Sequence, residues 1–145
     1  MHNVSDILRR KSSAVISVSI ETPVLEALKV MADRNIGSVV VMEKRQYRGI
    51  MTERDYARKV ALKGRASTAL SVSEIMSTHL PAVAPKDTIS HCMELMSEIN
   101  ERYLPVFVED EMVGIISMSD VIDETLIMQR ATIDHLSNYI SGQVS

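Results

Sequence analysis

The sequence contains an internal repeat with a fixed period of 65 residues. The stretch Gly49–Asp55 has the pattern Gly-apolar-apolar-hydroxyl-x-x-Asp, and Gly114–Asp120 has the same pattern. Because the glycine, the hydroxyl residue and the aspartate all recur at this one spacing, the chain is predicted to fold as two similar units. In each copy a glycine turn leads into a short apolar strand, and the hydroxyl residue and carboxylate then stand where a helix begins.

The residues before each pattern predict the earlier elements of the unit. In the first copy, residues 15–18 alternate like a half-buried strand, and the apolar positions 24, 27, 28 and 31 have helical spacing. Thr22 is the expected N-cap of this helix, with Pro23 at its first helical position. A buried strand is expected over 36–41, and a charged hairpin then returns the chain to the glycine-led strand.

The second copy follows the same order. Its expected helix is capped by Asp87 or Thr88 and carries the apolar stripe Ile89, Cys92, Met93 and Met96, and its buried strand falls within 101–108. The fold class is therefore α+β, with each unit built as strand, helix, strand, strand, helix. We divide the chain into a first repeat with its N-terminal segment (1–66), a linker with the second repeat (67–128), and a C-terminal helix or tail (129–145).

The C-terminal helix is longer than one unit requires. Its apolar stripe should pack on the domain or on a partner chain, which would be a second copy of this protein. The stripe comprises Val121, Ile122, Leu126, Ile127, Ile133, Leu136 and Ile140.

Composition excludes several classes of function. Aromatic residues make up 3% of the 145 residues, which argues against the stacking surfaces that bind single-stranded nucleic acid. The N-terminus lacks a signal pattern, no apolar run reaches the ~20 residues that span a bilayer, and the single cysteine cannot form an internal disulfide. These features predict a cytoplasmic protein without membrane contact.

Charge is distributed unevenly between the halves. Residues 1–66 hold 13 Lys and Arg against 7 Asp and Glu, whereas residues 67–145 hold 3 against 12. The basic half could receive an anion, or two chains could pair with unlike halves facing each other, which favours an antiparallel dimer. An uneven but simply solvated surface explains the same numbers. Binding of double-stranded DNA is not expected, because the basic half has no helix suited to reading a groove.

The tetrads Thr52-x-x-Asp55 and Ser117-x-x-Asp120 allow two interpretations. Both have the form of a capping box, in which hydroxyl and carboxylate only satisfy the first N–H groups of a helix. A strand that leads into a helix N-terminus is also suited to an anion, because N–H groups and the positive end of the dipole point outward. The hydroxyl could then donate to a phosphate oxygen, and the carboxylate could accept from ribose hydroxyls.

The duplicated unit, closed in each copy by this pattern, resembles the CBS-domain pair, or Bateman module, over roughly residues 4–61 and 72–128. Within that family it is similar to small stand-alone proteins whose first repeat ends Thr-Glu-Arg-Asp-Tyr-x-Arg-Lys, here residues 52–59. The resemblance implies tandem CBS repeats packed as one pseudo-twofold module. It also implies adenine-nucleotide ligands (AMP, ADP, ATP or NAD) in clefts between the repeats, and assembly of two modules into a flat disc.

The resemblance also implies roles for individual residues. Asp55 and Asp120 would hold ribose hydroxyls, Thr52 and Ser117 would touch phosphate, and backbone groups of the early strands would read the adenine edge. The strand residues expected around adenine are Ile16, Val18, Ile36, Gly37, Ser38, Val83, Arg102 and Tyr103.

The two corners differ in charge. Arg54 and Arg58 stand four residues apart after the first corner, and an arginine fork suits phosphate, so this corner should favour a charged phosphate more strongly. An ordinary surface ladder of ion pairs explains the same residues. In the second copy Arg102 takes the place of Gly37 and could supply a cation from the strand side.

These observations favour a non-catalytic regulatory module that binds an adenine nucleotide and acts on a separate effector protein. The alternative is a ligand-free dimerisation or scaffold module whose tetrads serve only as helix caps. An enzyme is the weakest hypothesis, because the sequence shows no nucleophile with a base beside it. The four histidines are too scattered to predict a metal site.

Overall fold

The computed structural model describes residues 2–11 and 14–144 as an α+β protein with two small sheets. A single turn of π-helix (Ala57–Ala61) follows α3, and a 3-10 turn (Val72–Glu74) follows the linker. The elements in chain order are α1 (Val4–Lys11), β1 (Ser17–Ser19), α2 (Val24–Arg34), β2 (Ser38–Glu43), β3 (Gln46–Thr52), α3 (Glu53–Tyr56), α4 (Ile89–Ile99), β4 (Tyr103–Val108), β5 (Glu111–Ser117) and α5 (Met118–Val144).

The chain forms two compact units whose limits differ from those of the sequence repeats. The middle unit comprises residues 14–81 with 109–113, and the terminal unit comprises residues 2–11, 82–108 and 114–144. The N-terminal helix α1 therefore belongs with the second repeat, where it packs on α5. Residues 72–81, which begin the second repeat in sequence, belong to the middle unit with the first repeat.

The middle unit is built on a three-stranded sheet in the order β1-β2-β3. Strand β1 runs parallel to β2, and β2 pairs antiparallel with β3. The apolar run of β2 is fully buried, as expected for a strand covered on both faces. Its core combines residues of α2, β2 and β3 with the segment after the linker: Val24, Ala27, Met31, Val39, Val41, Met51, Val60, Leu70, Val72 and Ile75.

The terminal unit has a two-stranded sheet, β4-β5. The first strand predicted for the second copy is not formed, and only an isolated parallel bridge between Val83 and Val106 marks its place. Pro85 and Pro105 explain the difference, because they have no N–H to donate and stand where Ile20 and Val40 donate to the ladder of the first repeat. The core here comprises Val4, Ile7, Val83, Ile89, Cys92, Met96, Leu104, Val106, Ile116 and Val121.

Helices α2 and α4 confirm the predicted equivalence, with two corrections. Both end at an asparagine in the left-handed conformation, Asn35 and Asn100, again 65 residues apart. Thr88 caps α4 by accepting from the backbone N–H of His91, but the prediction of Thr22 as the cap of α2 was wrong. The helix begins at Val24, so Pro23 is the N-cap residue. Pro23 is in extended conformation, and no side chain caps this end of the helix.

The second correction concerns Met93, which was expected in the apolar core stripe of α4. Its side chain is 41% exposed, whereas Ile89, Cys92 and Met96 are buried. On a helix, residue 93 lies about 100° around the axis from residue 92, so a face that centres on Cys92 turns Met93 to its edge.

Helix α5 is one continuous element through residue 144, without a break at residue 128. Val121 and Glu124 are buried near its start, and Met128 packs against the terminal core. Every residue described from 129 to 142 is exposed.

Candidate functional site

Each repeated corner is covered by the segment that precedes the other repeat in sequence. A Cβ placed on Gly49 would lie 2.7 Å from the carbonyl oxygen of Ser77, and Ile50 and Ser77 exchange backbone hydrogen bonds of 3.0 and 2.8 Å. A Cβ on Gly114 would lie 2.7 Å from Cδ2 of Leu8. Glycine is therefore required at position 49, where the covering atom belongs to the backbone, whereas at position 114 the flexible Leu8 side chain can shift.

The covering segments are themselves equivalent. Met76, which contacts Gly49, and Leu8, which contacts Gly114, stand at matching places in the short repeats 72–76 and 4–8. Each corner is thus assembled from the strand-to-helix turn of one repeat and the leading segment of the other. This exchange decides which side chains reach the two aspartates.

The first corner is a complete capping box. The Thr52 hydroxyl oxygen accepts from the backbone N–H of Asp55 at 3.0 Å, and Asp55 Oδ2 accepts from the backbone N–H of Thr52 at 3.0 Å and from its hydroxyl at 3.1 Å. The N–H of Glu53 donates to the carbonyl of Gly37 at 3.1 Å. These three N–H groups of the turn are therefore already satisfied within the protein.

The second oxygen of Asp55 is also occupied. Oδ1 accepts from the Ser77 hydroxyl at 2.9 Å and lies 3.0 Å from Lys59 Nζ, which also donates to the carbonyl of Ile75 at 2.8 Å. Asp55 is only 6% exposed. Both oxygens of this buried carboxylate are therefore engaged, and a ribose hydroxyl could reach it only by displacing one of these donors.

The second corner has the same cap but an open carboxylate oxygen. Asp120 Oδ2 accepts from the backbone N–H of Ser117 at 2.9 Å, and the Ser117 hydroxyl oxygen accepts from the N–H of Asp120 at 3.1 Å. Lys11 of α1 lies 3.0 Å from Oδ2 and donates to the carbonyl of Ile115 at 3.0 Å. Within the described chain no donor lies at hydrogen-bond distance from Oδ1.

Helix α1 brings a second cation beside this corner. Arg10 forms a bidentate pair with buried Glu124, with Nη2 at 2.7 and 2.8 Å from its two oxygens and Nε at 3.2 Å from Oε1. His2 also contacts Glu124 through Nδ1. Burial opposes ionisation of Glu124, but the hydrogen bonds from His2 and Arg10 and their charge outweigh it and lower its pKa.

A cavity of about 190 Å³ adjoins Asp120 and both of these cations. It is smaller than the ~300–1,000 Å³ typical of whole-ligand pockets, so it can hold a phosphate or a ribose but not an entire nucleotide. Its lining consists of Ile7, Arg10, Lys11, Asp120, Asp123 and Glu124.

The middle unit has a larger cavity, of about 500 Å³, which Glu53 and Tyr56 of α3 line together with residues around α2. Ile36 and Gly37 line it, so two of the residues predicted around adenine border a space of ligand size. Its one charged lining residue is Glu53, and Thr52 and Asp55 do not contribute. The other lining residues are Leu28, Met31, Ala32, Asn35 and Tyr56.

Comparison with known families decides the identity of this duplicated architecture. The sequence profile of the CBS domain matches residues 4–62 and again residues 72–126. The chain belongs to the CBS-domain family. It is a CBS pair, and CBS pairs are regulatory modules that are generally non-catalytic and often bind ligands.

Individual relatives agree with this assignment. The chain is 31% identical over 148 aligned residues to the CBS domain-containing protein CBSX3, mitochondrial, of Arabidopsis thaliana, covering 96% of this chain and 72% of that one. A putative signal-transduction protein with CBS domains from Burkholderia ambifaria is 36% identical with a TM-score of 0.83, over 87% of this chain and 95% of that chain. A hexameric CBS-CP12 protein from bloom-forming cyanobacteria is 27% identical with a TM-score of 0.73, over 84% and 70%.

The remaining residues predicted for the CBS ligand site are distributed unevenly. Val83 is buried, and its N–H and carbonyl are both used, in bonds of 3.0 Å to Pro105 and 2.9 Å from Phe107. Its N–H is therefore not free to donate to a base. The side chains of Ile16 and Val18 are half-buried against the middle core, and Ser38 is buried.

The arginines lie nearer the surface. Arg58 and Arg102 are exposed, and neither guanidinium has a hydrogen bond or ion pair with another described residue. Arg54 is half-buried, and Tyr103 opens β4 at intermediate exposure. Arg58 lies within the π-helical turn after α3, so the regular four-residue helical spacing assumed for an Arg54–Arg58 fork does not extend through both residues.

Sequence reasoning missed the residues that complete the corners. Lys59 and Ser77 hold Asp55, while Lys11 and Arg10 adjoin Asp120. The signal was present in the 68-residue offset between segments 4–8 and 72–76, which differs from the 65-residue period of the corners. That offset marks the leading segments as separate elements, but it does not specify which corner each one covers.

Two further properties concern the described residues only. No three His, Cys, Asp or Glu side chains among residues 2–11 and 14–144 are placed to hold a metal ion. Over the same residues, no helix is both long enough and apolar enough to cross a membrane.

Proposed function

We propose that this CBS pair is a non-catalytic regulatory module that binds an adenine nucleotide (AMP, ADP, ATP or NAD), with the Ser117–Asp120 corner as its first contact. The observation that supports this most directly is the open Oδ1 of Asp120, beside a cavity lined by Lys11 and Arg10. A carboxylate acceptor next to two cations matches the ribose and phosphate of a nucleotide.

Each group at this corner has a role in the proposal. Oδ1 of Asp120 accepts from a ribose hydroxyl, while Oδ2 keeps its bond to the helix cap. The Ser117 oxygen already accepts from Asp120, but its own proton is available to donate to phosphate. Arg10 uses Nε and Nη2 on Glu124, which leaves the two hydrogens of Nη1 for an anion.

The first corner is proposed as the weaker site. A ribose there must displace Ser77 or Lys59 from Asp55, and breaking a buried charged hydrogen bond costs about 1–3 kcal/mol. Arg58 and Arg54 are the residues proposed to contact phosphate if it is filled. The sequence, through Arg54 and Arg58, predicts the first corner as the stronger phosphate site, and the proposal reverses that order.

The test is calorimetric titration of the full chain with AMP, ADP, ATP and NAD. We expect Asp120→Ala to weaken the tightest nucleotide at least tenfold and Asp55→Ala to weaken it less. Asp110→Ala, which removes an exposed carboxylate in the β4–β5 hairpin, is the matched control and should leave the affinity unchanged. Absence of binding at millimolar nucleotide would refute the proposal, and equal loss in all three variants would refute the site.

A scaffold without ligand is the second candidate, because both tetrads form complete capping boxes. In that case Thr52→Ala lowers the free energy of unfolding by about 1 kcal/mol, and nucleotide leaves the melting temperature of the wild type unchanged. A rise in melting temperature with added nucleotide, lost in Asp120→Ala, would exclude this candidate.

We propose further that the regulatory effect passes through contacts with a separate effector protein or with a second copy in a homodimer. Assembly of related chains supports self-association, since the CBS-CP12 relative is hexameric. Sedimentation of the wild type with and without nucleotide tests whether ligand and assembly are linked.

A further inference from the structure

We propose that the exposed stripe of helix α5 is a coiled-coil seam through which two copies of this chain associate in parallel. The proposal deepens the homodimer of the preceding section by naming its surface, and it does not depend on nucleotide binding. The seam consists of Ile122, Leu126, Gln129, Ile133, Leu136 and Ile140.

The spacing of these residues is that of a heptad repeat. Successive intervals alternate between four and three residues over the whole stripe, which places Leu126, Ile133 and Ile140 at a positions and Ile122, Gln129 and Leu136 at d positions. At 3.6 residues per turn the six positions fall within about 80° of the helix circumference and extend over about 27 Å.

The seam is exposed in the single chain although the helix is already formed and anchored. Its five apolar side chains are 48 to 63% exposed, while Val121, about 100° around the helix axis from Ile122, is fully buried. Because the helix is one continuous element fixed at its base by the terminal core, association does not have to nucleate it. A preformed apolar stripe of this length is suited to a matching helix.

The one polar seam residue determines the orientation. In a parallel, in-register pair the d positions face each other, so Gln129 meets Gln129 of the second copy and the two amides can exchange hydrogen bonds. In the antiparallel pair that keeps every apolar position in the seam, a positions face d positions, and Gln129 would be buried against Ile133. An unsatisfied buried amide disfavours that arrangement.

Flanking charge supports the same orientation. Asp123 and Arg130 occupy e positions, and the g positions are Thr125, Thr132 and Tyr139. A parallel pair places e opposite g, which brings no like charges together. The antiparallel pair would place Arg130 opposite Arg130 of the second copy. The parallel assignment departs from the antiparallel dimer that the opposite charges of the two halves favour.

The test measures the mass of the full chain in solution by sedimentation at tens of micromolar. The wild type should have twice the chain mass of 16.2 kDa. Leu136→Asp should sediment with the mass of a single chain, and its circular dichroism spectrum should be unchanged because the side chain is exposed in the monomer. Asn138→Asp adds the same charge outside the seam and should remain dimeric.

Orientation is tested by oxidation of Leu126→Cys, a variant that keeps Gln129. A parallel pair should give a disulfide-linked dimer from this single variant, because the native Cys92 is buried. A monomeric wild type would overturn both the seam and the homodimer. A dimeric Leu136→Asp would overturn the seam alone, and cross-linking only in a mixture of Leu126→Cys and Leu136→Cys would overturn the parallel orientation. Binding of a monomeric wild type to phosphatidylserine vesicles, lost in Leu136→Asp, would assign the stripe to a lipid surface instead.

Discussion

Replacing each corner aspartate by asparagine separates the structural role of the carboxylate from its proposed binding role. Asparagine has nearly the same shape, keeps one acceptor oxygen and replaces the other oxygen by an NH₂ group. In Asp55→Asn the oxygen can remain on the Thr52 cap, but the NH₂ group then faces the Ser77 hydroxyl and the Lys59 ammonium. The contact with Lys59 becomes donor against donor, whereas the Ser77 hydroxyl can turn and accept from the NH₂ group.

The expected costs follow from these contacts. A lost hydrogen bond between charged groups costs about 1.5–3 kcal/mol, and the partial exposure of Lys59 reduces this value. The Ser77 bond changes from a charged to a neutral one, which adds about 1 kcal/mol or less. Asp55→Asn should therefore lower the free energy of unfolding by about 1–3 kcal/mol. In Asp120→Asn the NH₂ group takes the open Oδ1 position, the cap bond survives, and weakening the exposed pair with Lys11 costs about 1 kcal/mol or less.

Urea denaturation of the two variants and the wild type, followed by circular dichroism, measures this difference. The denaturant dependence should be unchanged, so that a shift of the midpoint reports stability. Nucleotide titration of the same proteins should give the opposite ranking, with the larger loss of affinity in Asp120→Asn. Equal destabilisation by the two substitutions, or a neutral Asp55→Asn, would refute the described difference between the corners.

Three further outcomes follow from contacts and pKa shifts. Gly49→Ala should destabilise by about 1–3 kcal/mol and more than Gly114→Ala in thermal unfolding, because the added methyl meets a backbone carbonyl at 2.7 Å in the first case and a flexible leucine tip in the second; equal melting temperatures would contradict this. Burial raises the pKa of Cys92 to about 11, so alkylation at pH 8 should be slow in the native protein and fast in urea, and equal rates would show that the thiol is accessible. Because folding lowers the pKa of Glu124, its ionised carboxylate adds to the free energy of unfolding. This contribution is complete above the unfolded pKa near 4.5 and is lost as the pH falls through the folded pKa. In Glu124→Gln the denaturation midpoint should therefore fall less steeply in acid.

The repeat in the sequence was sufficient to predict most of the fold. Gly49 and Gly114, the apolar stripes of α2 and α4, and the buried run of β2 carry local signals, because glycine geometry and hydrophobic period act over a few residues. The missing strand near Val83 has its cause in two visible residues, Pro85 and Pro105, but which N–H groups a strand needs depends on the strand that pairs with it.

The candidate site was less predictable, because its decisive contacts are not local. Asp55 and Asp120 have the same neighbours in sequence, and both tetrads predict the same cap. What distinguishes them is the donor that arrives from a distant segment, Ser77 in one case and Lys11 in the other. The pattern of side chains within a repeat does not show which distant segment will cover its strand-to-helix corner.

The exchange of leading segments has a consequence for dividing the gene. A fragment cut at the sequence boundary, such as residues 1–66, would retain Gly49 but lose Met76 and Ser77, which fill the space beside it. The complementary fragment, 67–145, would retain Gly114 without Leu8. Neither half of the duplication is a self-sufficient domain, so recombination or truncation at the repeat junction would separate each corner from its own lining.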